Sequence, residues 1–127
     1  ELAAIIQYVF QSSIIEGLVA DSVSVTLMKV AKQEMEHVKT IADRINYLTG
    51  AYPITIPDAV ALNNKLETAL QDDITMELNA IIIYKEIIAL ADELMDVTTS
   101  FIAKEILKDE ESHHNLLMTL LAQKGKS

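Results

Sequence analysis

The first half of this sequence falls on the second half when shifted by 76 residues. Glu1-Leu2-Ala3-Ala4-Ile5-Ile6-Gln7-Tyr8 matches Glu77-Leu78-Asn79-Ala80-Ile81-Ile82-Ile83-Tyr84. Lys32-Gln33-Glu34-Met35-Glu36-His37 matches Lys108-Asp109-Glu110-Glu111-Ser112-His113. A single repeat of this kind implies two similar hairpins related by a local twofold axis. Whatever one hairpin gives to a site, the other should give again.

Apolar periodicity and breakers divide the chain into four helical segments. The first runs from Glu1 to about Glu16 and ends near Gly17. The second starts after Asp21 and reaches about Leu48, with Gly50 as its stop and Pro53 barring continuation. Residues Ala51 to Leu62 hold both prolines and read as a connection. Asn64 with Glu67 reads as the N-cap pair of the third helix, which runs to about Leu94. Asp96 reads as the N-cap of the fourth, which reaches about Gln123. Lys124 and Lys126 suit its C-terminal dipole end, with Gly125 beyond. Short links between helices one and two, and three and four, make those pairs antiparallel neighbours. The middle connection is long enough to cross the length of a bundle. The expectation is an all-α four-helix bundle of two hairpins joined by a long crossover, one domain spanning residues 1–127.

Composition agrees with helix. Aromatic residues make up 5% of the chain, with 3 Gly and 2 Pro to break it. The absence of cysteine excludes disulfides, zinc–thiolate sites and thiol catalysis. A formal net charge of −9 argues against a nucleic-acid partner and against an anionic membrane surface. The longest apolar run, around Ile81 to Ile83, is far too short to span a bilayer. No signal peptide is visible, and a cytoplasmic location is expected.

The chemistry lies in the stripes that face the core. Helix two presents Leu27, Val30, Glu34, His37, Ile41 and Leu48 on one face, and helix four presents Ala103, Ile106, Glu110, His113, Leu117 and Leu120. Each apolar stripe is interrupted at its middle by a Glu and a His. Helix one offers Glu1, Ile5, Tyr8 and Ile15. Helix three offers Leu70, Ile74, Glu77, Ile81, Tyr84 and Ile88. In both, a Glu precedes a Tyr by two turns.

Four carboxylates buried together need compensation, since even one unpaired buried ion costs roughly several kcal/mol. No Lys or Arg occupies these stripes at that level. Two divalent ions would balance four carboxylates and two neutral imidazoles. One Glu from each of two helices and Glu-x-x-His from the other two is the ligand set of di-iron carboxylate bundles. Oxygen and imidazole donors without thiolate suit iron or manganese and tolerate zinc. A lone Glu-x-x-His is ordinarily a solvated helix face. Two copies at matching core positions, each with a Glu-x6-Tyr partner, are not.

The neighbours read less sharply. Tyr8 and Tyr84 pack in the core, with hydroxyls bonded to ligand carboxylates or with a redox role. Asp109, and Gln33 in the matching slot, either hold the far nitrogen of a ligand His or are polar edge residues. His114 points about 100° away from His113 around the helix and reads as surface.

With these residues in place the chain resembles the bacterioferritins, within the ferritin-like di-iron superfamily. The resemblance covers essentially the whole chain. It rests on Glu1 to Tyr8, Glu34-Met-Glu-His37, Arg44 to Gly50, Met76-Glu-Leu78 and Ile106 to His113. The ligand separations of 33, 43 and 33 residues also look like the family's. It implies that Glu34 and Glu110 bridge two irons, with Glu1 and His37 terminal on one and Glu77 and His113 on the other. It also implies ferroxidation of Fe(II) by oxygen or hydrogen peroxide, for iron storage or detoxification. Met35 matches the methionine that ligates haem in the family, where two subunits each give one Met. Its plain reading is a flexible apolar residue in a dimer contact.

Two departures bear on assembly. The family has about three helical turns before its first ligand, so residues upstream of Glu1 are expected. Its 24-subunit cages also carry a short fifth helix, which has no counterpart here. The expected homo-oligomer is therefore a dimer, a 12-subunit shell or a 24-mer. A rubrerythrin-like di-iron peroxidase is the alternative enzyme. It usually carries a Cys-rich segment and a further Glu ligand, for which Glu36 and Glu111 are poorly placed. A third reading is a structural bundle that metals merely stabilise.

Overall fold

The computed structural model describes residues 1–51 and 56–124. The roles expected of Pro53, Gly125 and Lys126 lie outside the described residues. Four α-helices follow one another, α1 (Leu2–Ile14), α2 (Ala20–Thr49), α3 (Leu66–Glu93) and α4 (Val97–Lys124). Among the described residues the only β-type pairing is an isolated bridge between Glu16 and Lys65. No helix of the described residues is long and apolar enough to cross a membrane.

Local chemistry sets the helix ends. α1 stops at Ile14, short of the expected Glu16, because Ile15 is extended (φ −66°, ψ 137°). The Glu16 N–H then donates to the Asn64 carbonyl at 3.3 Å. That pairing also overturns Asn64 as a helix cap. Asn64 and Lys65 lie beside Glu16 in extended chain, and α3 opens only at Leu66. α2 begins at Ala20, which places Asp21 in its first turn, where a carboxylate suits the helix dipole. It ends as expected at Gly50, whose φ of 72° is left-handed and whose N–H donates to the Asn46 carbonyl at 2.7 Å. Asp96 caps α4, its carboxylate accepting the Thr99 N–H at 3.1 Å and the Thr99 hydroxyl at 2.5 Å.

Contacts within the chain group into two compact units, residues 1–73 and 74–127. In the first, α1 and α2 are antiparallel. The Ser24 hydroxyl donates to the Ser12 carbonyl at 2.7 Å near the turn, and Glu1 meets His37 at the far end. The opening turns of α3 run antiparallel to α1, with Glu16 beside Lys65 and the Gln7 amide donating to Asp73 at 2.6 Å. Tyr8, Ile15, Val23, Leu27, Val30, Ala31, Ala69 and Leu70 form this unit's core.

The expected inward stripe of α2 does not persist to its end. Ile41 is half-buried and Leu48 is 53% exposed. α1 has 13 residues and α2 has 30, and Glu1 is level with His37. In the second unit, α4 runs antiparallel to α3, pairing Glu77 with His113 and Asp92 with Lys104. Its core holds Ile74, Ile81, Tyr84, Ala91, Ala103, Ile106 and Leu117.

Candidate metal centre

Each unit gathers a Glu, a Glu and a His. In the first, Glu34 and His37 stand one helical turn apart on the inner face of α2, and the antiparallel hairpin brings Glu1 level with them. His37 Nδ1 lies 3.3 Å from Glu34 Oε2 and 3.9 Å from Glu1 Oε2. In the second, His113 Nδ1 lies 3.7 Å from Glu77 Oε2 and 4.0 Å from Glu110 Oε1. Within each triad, one ligand atom per residue lies within 4.8 Å of the others. Two donors on one ion with bonds of about 2.1 Å stand about 3.0–3.4 Å apart at right or tetrahedral angles. Each triad is therefore close to metal-binding spacing.

The electrostatics point the same way. Glu34, Glu77 and Glu110 are at most 2% exposed, and His37 and His113 at most 5%. Among the described residues, the buried charged and imidazole side chains are these five and Asp73, with no Lys or Arg. Carboxylates and imidazoles held out of water without a cationic side chain suit a divalent ion. The donors are hard oxygens and borderline nitrogens, which fit iron, manganese or zinc.

The structure brings all six expected ligands into these triads, three in each unit. Tyr8 and Tyr84 are buried, as the core stripes predict. Asp109 is half-buried and Gln33 exposed. His114 is half-buried rather than fully at the surface, because its neighbour His113 turns inward and a 100° step keeps part of the next ring at the helix flank. Met35 is 50% exposed on the outer face of α2, and Glu36 and Glu111 are exposed.

Sequence reasoning missed a second set of buried polar groups, Gln7, Gln11, Asp73 and Ser100. The signal was present. Gln7 and Gln11 interleave with Ala4, Tyr8 and Ile15 at helical spacing on the buried face of α1, and Asp73 precedes Glu77 by one turn on α3.

A helical chain with two Glu–Glu–His triads defines a class that the comparisons bear out. The ferritin-like domain model matches residues 1–125, and the chain belongs to that family. Its fold is the ferritin-like four-helix bundle. Its relatives include a bacterioferritin of Mycobacterium leprae, 28% identical over 99% of this chain and 79% of the relative. A bacterioferritin of Mycolicibacterium paratuberculosis is 28% identical over 95% of this chain and 76% of its own length. Among solved structures, a dodecameric thioferritin, the bacterioferritin-related protein of Bacteroides fragilis, matches with a TM-score of 0.89. It is 28% identical, and the match covers 98% of this chain and 79% of that one.

Proposed function

We propose that this protein is a ferroxidase that takes up Fe(II) as substrate at one dinuclear site and serves iron storage or detoxification. In this reading the two triads act together. Glu34 and Glu110 bridge the two metal positions, Glu1 and His37 complete one, and Glu77 and His113 complete the other. The observation that carries it is the doubled set of buried carboxylates and imidazole with no Lys or Arg buried among the described residues. The membership of the ferritin-like family and the bacterioferritin relatives support it.

The residues have separable tasks. The carboxylates attract and hold Fe(II), and their negative charge favours the higher charge of Fe(III). The imidazoles must be neutral at Nδ1 to bind, which leaves Nε2 as a donor, and Asp109 is proposed to accept from it. Tyr8 and Tyr84, buried two turns beyond Glu1 and Glu77 on α1 and α3, are proposed to steady the ligand carboxylates. Each Fe(II) gives up one electron, and oxygen or hydrogen peroxide takes them. Manganese or zinc would occupy the same donors without that turnover. The assembly proposed is a homo-oligomer, either a dimer or a cage.

Haem is a separate proposal on the outer face. Met35 is half-exposed on the outer face of α2, where its thioether is open to a porphyrin iron. Hemin reconstitution should give a thioether-ligated spectrum that Met35→Ala abolishes.

The test of ferroxidation is to add Fe(II) in air to metal-free protein at rising ratios, desalt, and count the iron that stays. Retention of tens of irons per chain in solution supports storage. A plateau near two supports a filled dinuclear site without storage. Absence of both oxidation and retention overturns the proposal.

A further inference from the structure

Gln11 is completely buried, and neither its amide nitrogen nor its amide oxygen has a hydrogen-bond partner among the described residues. A primary amide offers two donors and two acceptor lone pairs. Leaving such a group dry and unmatched in a folded interior forfeits the hydrogen bonds it made to water in the unfolded chain. Native interiors answer such groups with water when protein partners are lacking.

The surroundings of Gln11 supply no other answer within residues 1–73. Gln11 stands one helical turn from Gln7 on the buried face of α1. Gln7 donates to Asp73 at 2.6 Å, and Glu16 pairs with Lys65. That antiparallel register puts position 69 of α3 opposite position 11 of α1. The residue there is Ala69, fully buried and without a polar side-chain atom to meet the amide. On the other side, the Ser12–Ser24 bond brings α2 past the same level, where Val23 and Leu27 are buried and apolar. With apolar neighbours and a polar pair one turn away, ordered water is the group left to answer the Gln11 amide.

We propose that Gln11, Gln7 and Asp73 hold a buried file of ordered water, and that this file carries protons away from the metal site. The second part rests on the ferroxidase reading. Oxidation generates protons that must leave a dry interior. Two Fe(II), one dioxygen and four waters become two FeOOH, one hydrogen peroxide and four protons, the two electrons passing from iron to dioxygen. The file begins near the ligands on both helices that frame it. Gln7 follows Glu1 by six residues on α1, about 9 Å along the axis, and Asp73 precedes Glu77 by one turn on α3. Gln11 is a positioning residue here, acting through the water it binds.

The test uses the whole chain and the variants Gln11→Leu, which keeps the volume without the amide, and Gln11→Asn, which keeps the amide. A high-resolution crystal structure of the wild type should contain water within hydrogen-bond distance of the Gln11 amide, absent in Gln11→Leu. Stopped-flow mixing with Fe(II), read by a pH-indicator dye and by ferric absorbance together, should show proton release keeping pace with oxidation in the wild type and in Gln11→Asn. In Gln11→Leu, proton release should lag oxidation by about tenfold, while the number of Co(II) ions bound at equilibrium stays unchanged. A dry Gln11 in the wild type, or synchronous release in Gln11→Leu, overturns the inference. Loss of Co(II) binding by the wild type would instead overturn the dinuclear reading, which keeps the two failures distinct.

Discussion

His37 Nδ1 lies 3.3 Å from Glu34 Oε2, one turn away on the same helix, and both side chains are shut off from water. This closeness has a stability consequence. A carboxylate at such a place contributes little to the fold unless a cation compensates it, because desolvating an ion costs roughly several kcal/mol. The site is therefore expected to be stabilising when filled and costly when empty.

Glu34→Gln tests that trade directly. The amide preserves shape while removing both the charge and one acceptor oxygen. The metal-free variant should unfold at a higher temperature than metal-free wild type, and the stabilisation gained on adding Zn(II) should shrink to a minor part. Calorimetry in chelator and in excess Zn(II) measures both. A variant with unchanged metal-free stability and an unchanged Zn(II) response would sink this account of Glu34.

The repeat makes a symmetric prediction. His37→Ala and His113→Ala remove equivalent donors from matching triads, so each should lose one of two bound Co(II) ions per chain and keep the other. Losing only the hydrogen-bond partner of a metal ligand typically costs about 10–100-fold in affinity, and losing the ligand costs at least as much. Titration followed by the Co(II) absorption bands reads the stoichiometry. Complete loss in one variant and none in the other would show that the halves are not equivalent.

Backbone strain gives two changes of opposite sign. Gly50 has φ 72° and nothing within 4 Å of where a Cβ would stand, so Gly50→Ala should cost only the left-handed conformation, about 1 kcal/mol. Met95 has φ 57° although it is not glycine, and it is 85% exposed, so little packing is lost on truncation. Met95→Gly should therefore stabilise by about 1 kcal/mol. Urea denaturation of both variants decides it. A shift of the same sign in both would mean that φ is not what governs these positions.

Much of this molecule was legible because its signals are local or repeated. Gly50 and Asp96 act at their own helix ends, and the Glu-x-x-His pairs declare themselves by interrupting apolar stripes twice at the same place. What was not legible depended on partners distant in sequence. Asn64 looked like a cap because its own neighbourhood suited one, yet it is engaged by Glu16, 48 residues earlier. Leu48 fits the periodicity of α2 yet is 53% exposed, because periodicity marks a helix face and not what covers it. Gln7 and Gln11 belong to a helix rich in apolar residues, and only the arrival of Asp73 on α3 shows why polarity is kept inside.

Removing Asp96 as a cap should be felt mainly by the second unit. Asp96→Ala deletes the acceptor for both the Thr99 N–H and hydroxyl and should cost about 1 kcal/mol, with Asp96→Asn or Asp96→Ser recovering most of it. Urea denaturation measures the loss. Hydrogen exchange localises it, with amides of the first turn of α4 opening faster while those of α1 and α2 keep their protection. Uniform acceleration across the chain would show that opening is global and that the cap is not felt locally.

A metal ion held by the two triads is also a ligand of the folded chain. An ion that binds the native chain and not the unfolded one stabilises by RT ln(1 + [L]/Kd), which is about 2.7 kcal/mol at a hundredfold excess over Kd. For a domain of this size that corresponds to a rise in melting temperature of roughly 5–15 °C. Zn(II) or Co(II) should produce such a rise, growing with the logarithm of free metal and reversed by chelator. Mg(II) should do far less, because it demands octahedral oxygen coordination and keeps its waters. Combined with Glu110→Gln, the transition-metal response should fall as it does in Glu34→Gln, since the repeat gives the two carboxylates the same part. If Mg(II) stabilises as well as Zn(II), the buried acids are only a diffuse negative charge, and the imidazoles of His37 and His113 have no part in holding an ion.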